Sequence, residues 1–425
     1  MMWNSRPFLW LALAAMCAML SVSTEAQASD FSLAWQRNGE GGWAEHPIIH
    51  NGVVYVPWTD GKVTTIEVTT GNLLHSVAGV NNGTAPFIVN NYLYSYGATA
   101  MYEIALDTFQ ISRTLTIENA WYTENVPYDA ETGYFFVRQG FDLYRGRVTA
   151  IRLSDSMPVW SYPKAFEGGF DDHQNILVVG DSVFFQSTNS FWQGHSMFYR
   201  LDKRTGAVIW SKPLSSIAID DTSRGGYNNP IYNEDHDVIY VSEGWNDIHA
   251  RVYAFRRSDG ELLWSKDIPG RTIEATMTYY ANILYLPLHV FSGHGSYMAL
   301  SATNGETIWH EPGFYTEDGW SATAVDERYL YRVTHGGGVP YLIVQDRLDG
   351  SLIWSKAIDA PATCFNPVLS NGMVVLGSET SVYAVKAVVG QAVDSDFHGK
   401  NSTGYNPGAI NWGLIEKLFL PFIMK

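Results

Sequence analysis

The chain has 425 residues, 14% of them aromatic, and a formal net charge of -16. Acidity on that scale argues against nucleic acid or another polyanion as partner, and well-spread aromatic residues suit wide sheet-to-sheet interfaces as readily as sugar platforms. Of its two cysteines one lies in an N-terminal leader, so the mature chain, keeping only Cys364, can form no internal disulfide and must be stabilised by packing.

In chain order the first predicted element is that leader. Arg6 supplies a positive start, Phe8 to Val22 an uncharged and mostly apolar run, and Ala26-Gln27-Ala28 a small-residue cleavage site. The run is short for a bilayer-spanning helix, and Met16 stands before Cys17 where lipid attachment wants a small residue. Residues 1–28 are therefore expected to be a signal peptide cleaved near Ala28. The mature part is expected to be soluble, periplasmic or secreted, and without a transmembrane span.

Next comes FSLAWQR (Phe31 to Arg37), a strand-like run standing alone. Eight pairs of apolar runs follow: Pro47 to Val56, Pro86 to Tyr96, Pro127 to Val137, Gln174 to Gln186, Pro230 to Val241, Thr276 to Pro287, Ala322 to Val333 and Pro367 to Gly377. Behind these pairs returns one phrase, an alternating run, a polar turn and a second run, which reads as two antiparallel strands joined tightly. Its clearest copies are Phe198 to Ser211, Val252 to Ser265, Tyr297 to His310 and Tyr341 to Ser355. Each sets a Gly four residues before a Trp: Gly206/Trp210, Gly260/Trp264, Gly305/Trp309 and Gly350/Trp354. Upstream copies are weaker. Val63 to Ser76 keeps the Gly but has His75 for Trp, Val148 to Ser161 keeps Trp160 but has Ser156 for Gly, and Met101 to Leu115 retains mainly the alternation and Asp107.

The spacing of the copies, roughly 40 to 55 residues, is that of propeller blades. A pair and its phrase make four strands, one blade. The last copy, Ser381 to Ala387, lacks its closing strand, and Phe31 to Arg37 can supply it. The pattern predicts an all-β, eight-bladed β-propeller of four-stranded antiparallel blades, the last closed by the N-terminal strand, with Trp35 beside Tyr383.

The phrase, carried best by Leu201, Asp202, Thr205, Gly206 and Trp210, resembles the tryptophan-docking repeat of the pyrroloquinoline-quinone-like (PQQ-like) β-propellers. The resemblance covers nearly all of the chain from Phe31 to about Val388. It implies that Trp35, Trp160, Trp210, Trp264, Trp309 and Trp354 pack between neighbouring blades. It says less about function, since the family holds quinoprotein dehydrogenases, the propeller lipoprotein of the outer-membrane barrel-assembly machinery, and binding proteins without known chemistry.

Function in a propeller gathers where the innermost strands begin and converge on the axis. The ligand-binding candidates just before those strands are Trp43, Glu45, Glu124, Asn228, Asn229, Glu274, Trp320 and Asn366. Glu45, Glu124, Asp172, Glu274 and Asp318 would together form an acidic funnel for a cation, a cationic ligand or a basic loop of another protein. Glu124, Asn229 and Asn366 have the oxygen donors that suit a hard cation. Turn positions also favour Asp and Asn for local reasons.

Two enzyme readings stand beside a binding protein. For a PQQ- and calcium-dependent alcohol or sugar dehydrogenase, the resemblance implies a quinone stacked on Trp43, Trp245 or Trp320 and a calcium ion polarising it. Asp171, Asp172, His173 and Asp318 are the catalytic candidates. Against it stand the single mature Cys, where the family's alcohol dehydrogenases carry an adjacent pair, the lean blades and the lack of a c-type haem motif. A polysaccharide lyase or hydrolase would draw on scattered His and Tyr, with Trp192, Trp245, Tyr279, Tyr280, Trp320 and Tyr341 as sugar platforms. Glu234-Asp235-His236-Asp237 reads as a solvated hairpin turn.

Residues 391–425 form a polar linker and an apolar tail, Trp412 to Met424, too short and interrupted by Pro421 to span a bilayer. The tail is expected to dock back or to touch a partner or membrane surface. The reading as a whole is an exported propeller, 29–390, serving as a binding or scaffold protein for a small ligand or an envelope partner at its axial face.

Overall fold

The computed structural model describes residues 31–39, 42, 44, 46–81, 84–97, 100–117, 126–142, 145–168, 176–187, 197–214, 230–244, 249–270, 273, 277–288, 296–311, 323–333, 341–358, 367–370, 372–378 and 380–386. Residues 1–30 and 387–425, on which the expected leader, linker and tail fall, lie outside them. The strands form eight four-stranded antiparallel sheets. Numbered in chain order, blade one is Ile48–His50, Val53–Pro57, Val63–Glu67 and Leu73–Val77. Blade two is Phe87–Val89, Tyr92–Tyr96, Ala100–Ala105 and Ile111–Thr116, and blade three is Tyr128–Asp129, Tyr134–Asp142, Arg145–Arg152 and Pro158–Gly168. Blade four is Leu177–Val179, Ser182–Ser187, Met197–Asp202 and Val208–Pro213, and blade five is Ile231–Asn233, Val238–Gly244, His249–Arg256 and Leu262–Pro269. Blade six is Thr278–Tyr280, Ile283–Leu288, Ser296–Ser301 and Thr307–Glu311, and blade seven is Ala324–Val325, Tyr329–Val333, Tyr341–Asp346 and Leu352–Ala357.

The eighth sheet is built from both ends of the chain: Val368–Ser370, Met373–Gly377 and Ser381–Lys386, completed by Ser32–Asn38. Trp35 lies opposite Ala384 and Gln36 opposite Tyr383, as the lone N-terminal run predicts. The ring thereby leaves no open sheet edge at its seam.

First strands of successive blades touch, Ile231–Asn233 beside Thr278–Tyr280 and Ile48–His50 beside Val368–Ser370, so they stand nearest the axis. Second strands are buried on both faces between neighbouring sheets: Ser182–Ser187 and Ile283–Leu288 are buried throughout. Outer strands are more open, and in Leu262–Pro269 Ile268 alone is buried. The end of each blade where its first strand begins is the upper face here. The tight turns between third and outer strands lie at the lower face.

Those turns explain the repeating phrase. The indole of Trp160 in blade three donates to the Lys203 carbonyl of blade four at 3.0 Å, and a Cβ on Gly206 would stand 2.6 Å from the same ring. Trp35, Trp210, Trp264 and Trp309 likewise donate to Val68, Arg257, Ala302 and Arg347 of the next blade. Each of these rings closes over the glycine of the neighbour's turn, not of its own.

The weak copies follow the same rule. Blade two has Phe109 at the glycine position, and blade one correspondingly offers His75, stacked on Phe109 with centroids 5.4 Å apart. Blade three has Ser156 there, and blade two offers Arg113, which donates to the Ser154 and Leu153 carbonyls at 2.9 and 3.1 Å. A residue with a side chain in the turn removes the room for an indole, so Trp and Gly are lost together across a seam. Trp354 meets Phe31 at 5.8 Å, the N-terminal segment packing where no turn follows.

Candidate functional site

Every ligand-binding and catalytic candidate of the sequence lies outside the described residues: Trp43, Glu45, Glu124, Asn228, Asn229, Glu274, Trp320 and Asn366, with Asp171, Asp172, His173 and Asp318. The structure does describe the collar of strand ends from which those segments spring. His46, just before the first strand of blade one, is buried with φ 43, and burial holds its imidazole down to about 4. Ala44 beside it donates its N–H to the Ser378 carbonyl of blade eight at 3.1 Å, so this stretch bridges the closing seam. In blade two, buried Asn81 donates to the Thr84 carbonyl at 2.9 Å and to the Ser95 hydroxyl at 2.7 Å. Between blades six and seven Thr278 donates to the Thr323 carbonyl and Thr323 to the Thr278 hydroxyl, at 3.0 and 2.8 Å. These contacts fix the backbone at the upper face and consume its polar groups.

A second set of buried polar groups is met only in part. The fifth residue of each second strand sits at the upper face: Pro57, Tyr96, Arg138, Gln186, Ser242, Pro287, Val333 and Gly377. In blades two to five it is polar and buried, and Tyr96 Oη, Gln186 Oε1 and Nε2, and Ser242 Oγ have no hydrogen-bond partner among the described residues. At this one register the collar is polar over consecutive blades and carries Pro, Val or Gly over the rest. Sequence reading passed over these residues because Tyr96 and Gln186 close strand-like runs and Ser242 follows one. The available signal was a polar residue at one fixed register where the other blades carry Pro, Val or Gly.

Glu243 adds a buried carboxyl beside Ser242. Burial pushes it up, against a hydrogen bond with the Tyr253 hydroxyl and the nearby Arg251 charge, which pull it down, and burial prevails. At the closing seam a cavity of about 30 Å³ is lined by Arg37, Asn38, Trp58, Lys62, Thr64 and Ser76, room for a water or two.

Several expectations meet the structure directly. Trp35, Trp160, Trp210, Trp264 and Trp309 dock between blades, as the resemblance implies. Tyr279 is core, stacked near Tyr240 at 5.9 Å, so it is no sugar platform. Residues 234–237 form the hairpin turn of blade five, with Asp237 accepting from Arg257. Among the described residues no three His, Cys, Asp or Glu side chains are grouped around one point, and no helix is long and apolar enough to cross a membrane. The residues implied for quinone and calcium belong to the segments outside the described ones.

The family profile described as outer membrane protein assembly factor BamB matches residues 194–313 and 293–393. The tetrathionate hydrolase of Acidithiobacillus ferrooxidans is 25% identical over 253 residues, 55% of this chain and 46% of that protein. BamB of Kangiella koreensis is 26% identical over 212 residues, 46% of this chain and 47% of its own. The chain thus spans about half the length of these curated relatives. Among solved structures, BamB from Moraxella catarrhalis superposes with a TM-score of 0.61 at 11% identity, covering 84% of this chain and 99% of that one. The quinohemoprotein alcohol dehydrogenase of Comamonas testosteroni does so at 0.63 and 13%, covering 86% and 78%. At such identities the likeness is one of fold.

Proposed function

Because this chain is a PQQ-like eight-bladed β-propeller similar to BamB, we propose that it is an exported scaffold whose upper face docks a protein of the cell envelope. The observation that carries the reading is the family match over blades four to eight, which is to an assembly factor and not to a dehydrogenase. The acidic residues that precede first strands in sequence, Glu45, Glu124, Asp172, Glu274 and Asp318, would attract a basic loop of the partner, with Trp43 and Trp320 as apolar anchors. Export rests on the leader at 1–28. The lone Cys364 of the mature part disfavours the quinone-dependent alternative.

Affinity capture tests this. Tagged protein incubated with detergent-solubilised envelope is expected to retain barrel-assembly proteins, identified by mass spectrometry. The triple variant Glu45→Gln, Glu124→Gln, Glu274→Gln should lose them. Failure to capture any such protein refutes the scaffold. Dye-linked alcohol oxidation after loading with PQQ and calcium would replace it by a dehydrogenase, and consumption of tetrathionate by the activity named for the curated relatives.

A further inference from the structure

The seam between blades four and five gathers oxygens that the fold leaves unmet. In Ser182–Ser187, Phe184 packs against Ile239 and Val241 of blade five, so Gln186, two residues on, enters the same seam nearer the upper face. From the other side Ile239 and Val241 point into that seam, and Glu243 follows them by the same alternation. Tyr253, opposite Val241, lies in the same cluster. Its hydroxyl contacts both the Glu243 carboxyl and the carbonyl oxygen of Leu214, just past the outer strand of blade four.

Gln186 is 0% and Glu243 8% exposed, and neither amide atom of Gln186 nor Oε2 of Glu243 has a partner among the described residues. Burying such groups unmet is costly, so the folded seam calls for an occupant. An ion or a water is the smallest occupant that can meet such groups. The surrounding atoms choose between them. The Glu243 carboxyl and the Leu214 carbonyl meet at the Tyr253 hydroxyl, the Gln186 amide faces the same seam by alternation, and the one hydroxyl proton of Tyr253 can serve only one of the two acceptors it touches. The nearest opposing charge, Arg251, is paired with Asp267.

We propose that this seam is a binding site for a hard divalent cation of calcium size, held by the Glu243 carboxylate, the Gln186 side-chain oxygen and the Leu214 carbonyl, with the Tyr253 hydroxyl orienting the carboxylate. The site lies between two blades and away from the axis, and stands independently of the scaffold reading. A cation there ties blade four to blade five.

The full chain, stripped with chelator and dialysed, is titrated with calcium chloride by calorimetry. It is also melted with and without calcium at constant ionic strength. The expected result is saturable binding at one site and a rise in Tm, both lost in Glu243→Gln and in Gln186→Leu. Ser242→Ala, which by alternation faces the next seam, should keep them. Gln186→Leu should melt no lower than the stripped parent, because it removes an unmet amide, so loss of its calcium response reports the site and not misfolding. No saturable heat, or the same heat in parent and both variants, overturns the proposal and leaves an ordered water in the seam.

Discussion

At Gly206 a Cβ would stand 2.6 Å from the Trp160 ring, so the two positions, in different blades, constrain each other. Trp160→Ala is expected to cost about 3–5 kcal/mol, the usual range for emptying an aromatic site. Gly206→Ala adds a steric clash to a φ of 69. In the Trp160→Ala background the clash disappears and only the backbone strain remains, so the second substitution should cost less there than in the parent. A double-mutant cycle by urea denaturation reads that difference. His46 supplies a pH signature. Its folded value, about 4, lies below the ordinary 6.5, so the unfolded chain takes the proton first. Stability from this group is complete above pH 6.5 and is withdrawn as pH falls towards 4, by about 3 kcal/mol in all. His46→Asn, which tolerates the same positive φ, should flatten that part of the stability curve, measured by denaturant unfolding across this window.

Blades are held to one another by polar staples as well as by indoles. Lys203 of blade four is 3% exposed and donates to Asp129 at 3.0 Å and Glu131 at 2.6 Å, both of blade three. Lys203→Met leaves the Asp129 carboxylate buried without its cation, and a loss of about 3–5 kcal/mol is expected. Adding Asp129→Asn should recover part of it in thermal melts. Strand pairs and blades were legible from sequence because alternation and the Gly-Trp spacing are local properties of one hairpin. The partner of each Trp was not legible in the same way. Spacing within the phrase associates Trp210 with Gly206, while the fold sets Trp210 over Gly260 and Gly206 under Trp160. The paired losses at His75/Phe109 and Arg113/Ser156 make sense only once neighbouring blades are known. Gln186 and Glu243 were missed for the same reason, their burial being imposed by the adjacent blade.

For the ring as a whole, the lone N-terminal run and the unfinished last phrase were enough to forecast closure, and Gln36 opposite Tyr383 bears it out. The upper-face candidates were chosen by position before each first strand and lie outside the described residues, so they stand as the proposal made above. Closure predicts that a chain shortened to begin at Gly39 exposes the edge of Ser381–Lys386, melts at lower temperature and self-associates in size-exclusion chromatography. A permuted chain carrying residues 31–38 after Lys386 through a short flexible linker should recover both the Tm and the monomer. The contact between Gln36 and Tyr383 spans 347 positions of chain. The earliest strand to be synthesised must therefore wait for the last blade before it can pair, and sealing is a late event of high contact order. During that wait the polypeptide is an unlocked ribbon that can still be threaded, and the arrival of Ser381–Lys386 acts as the latch.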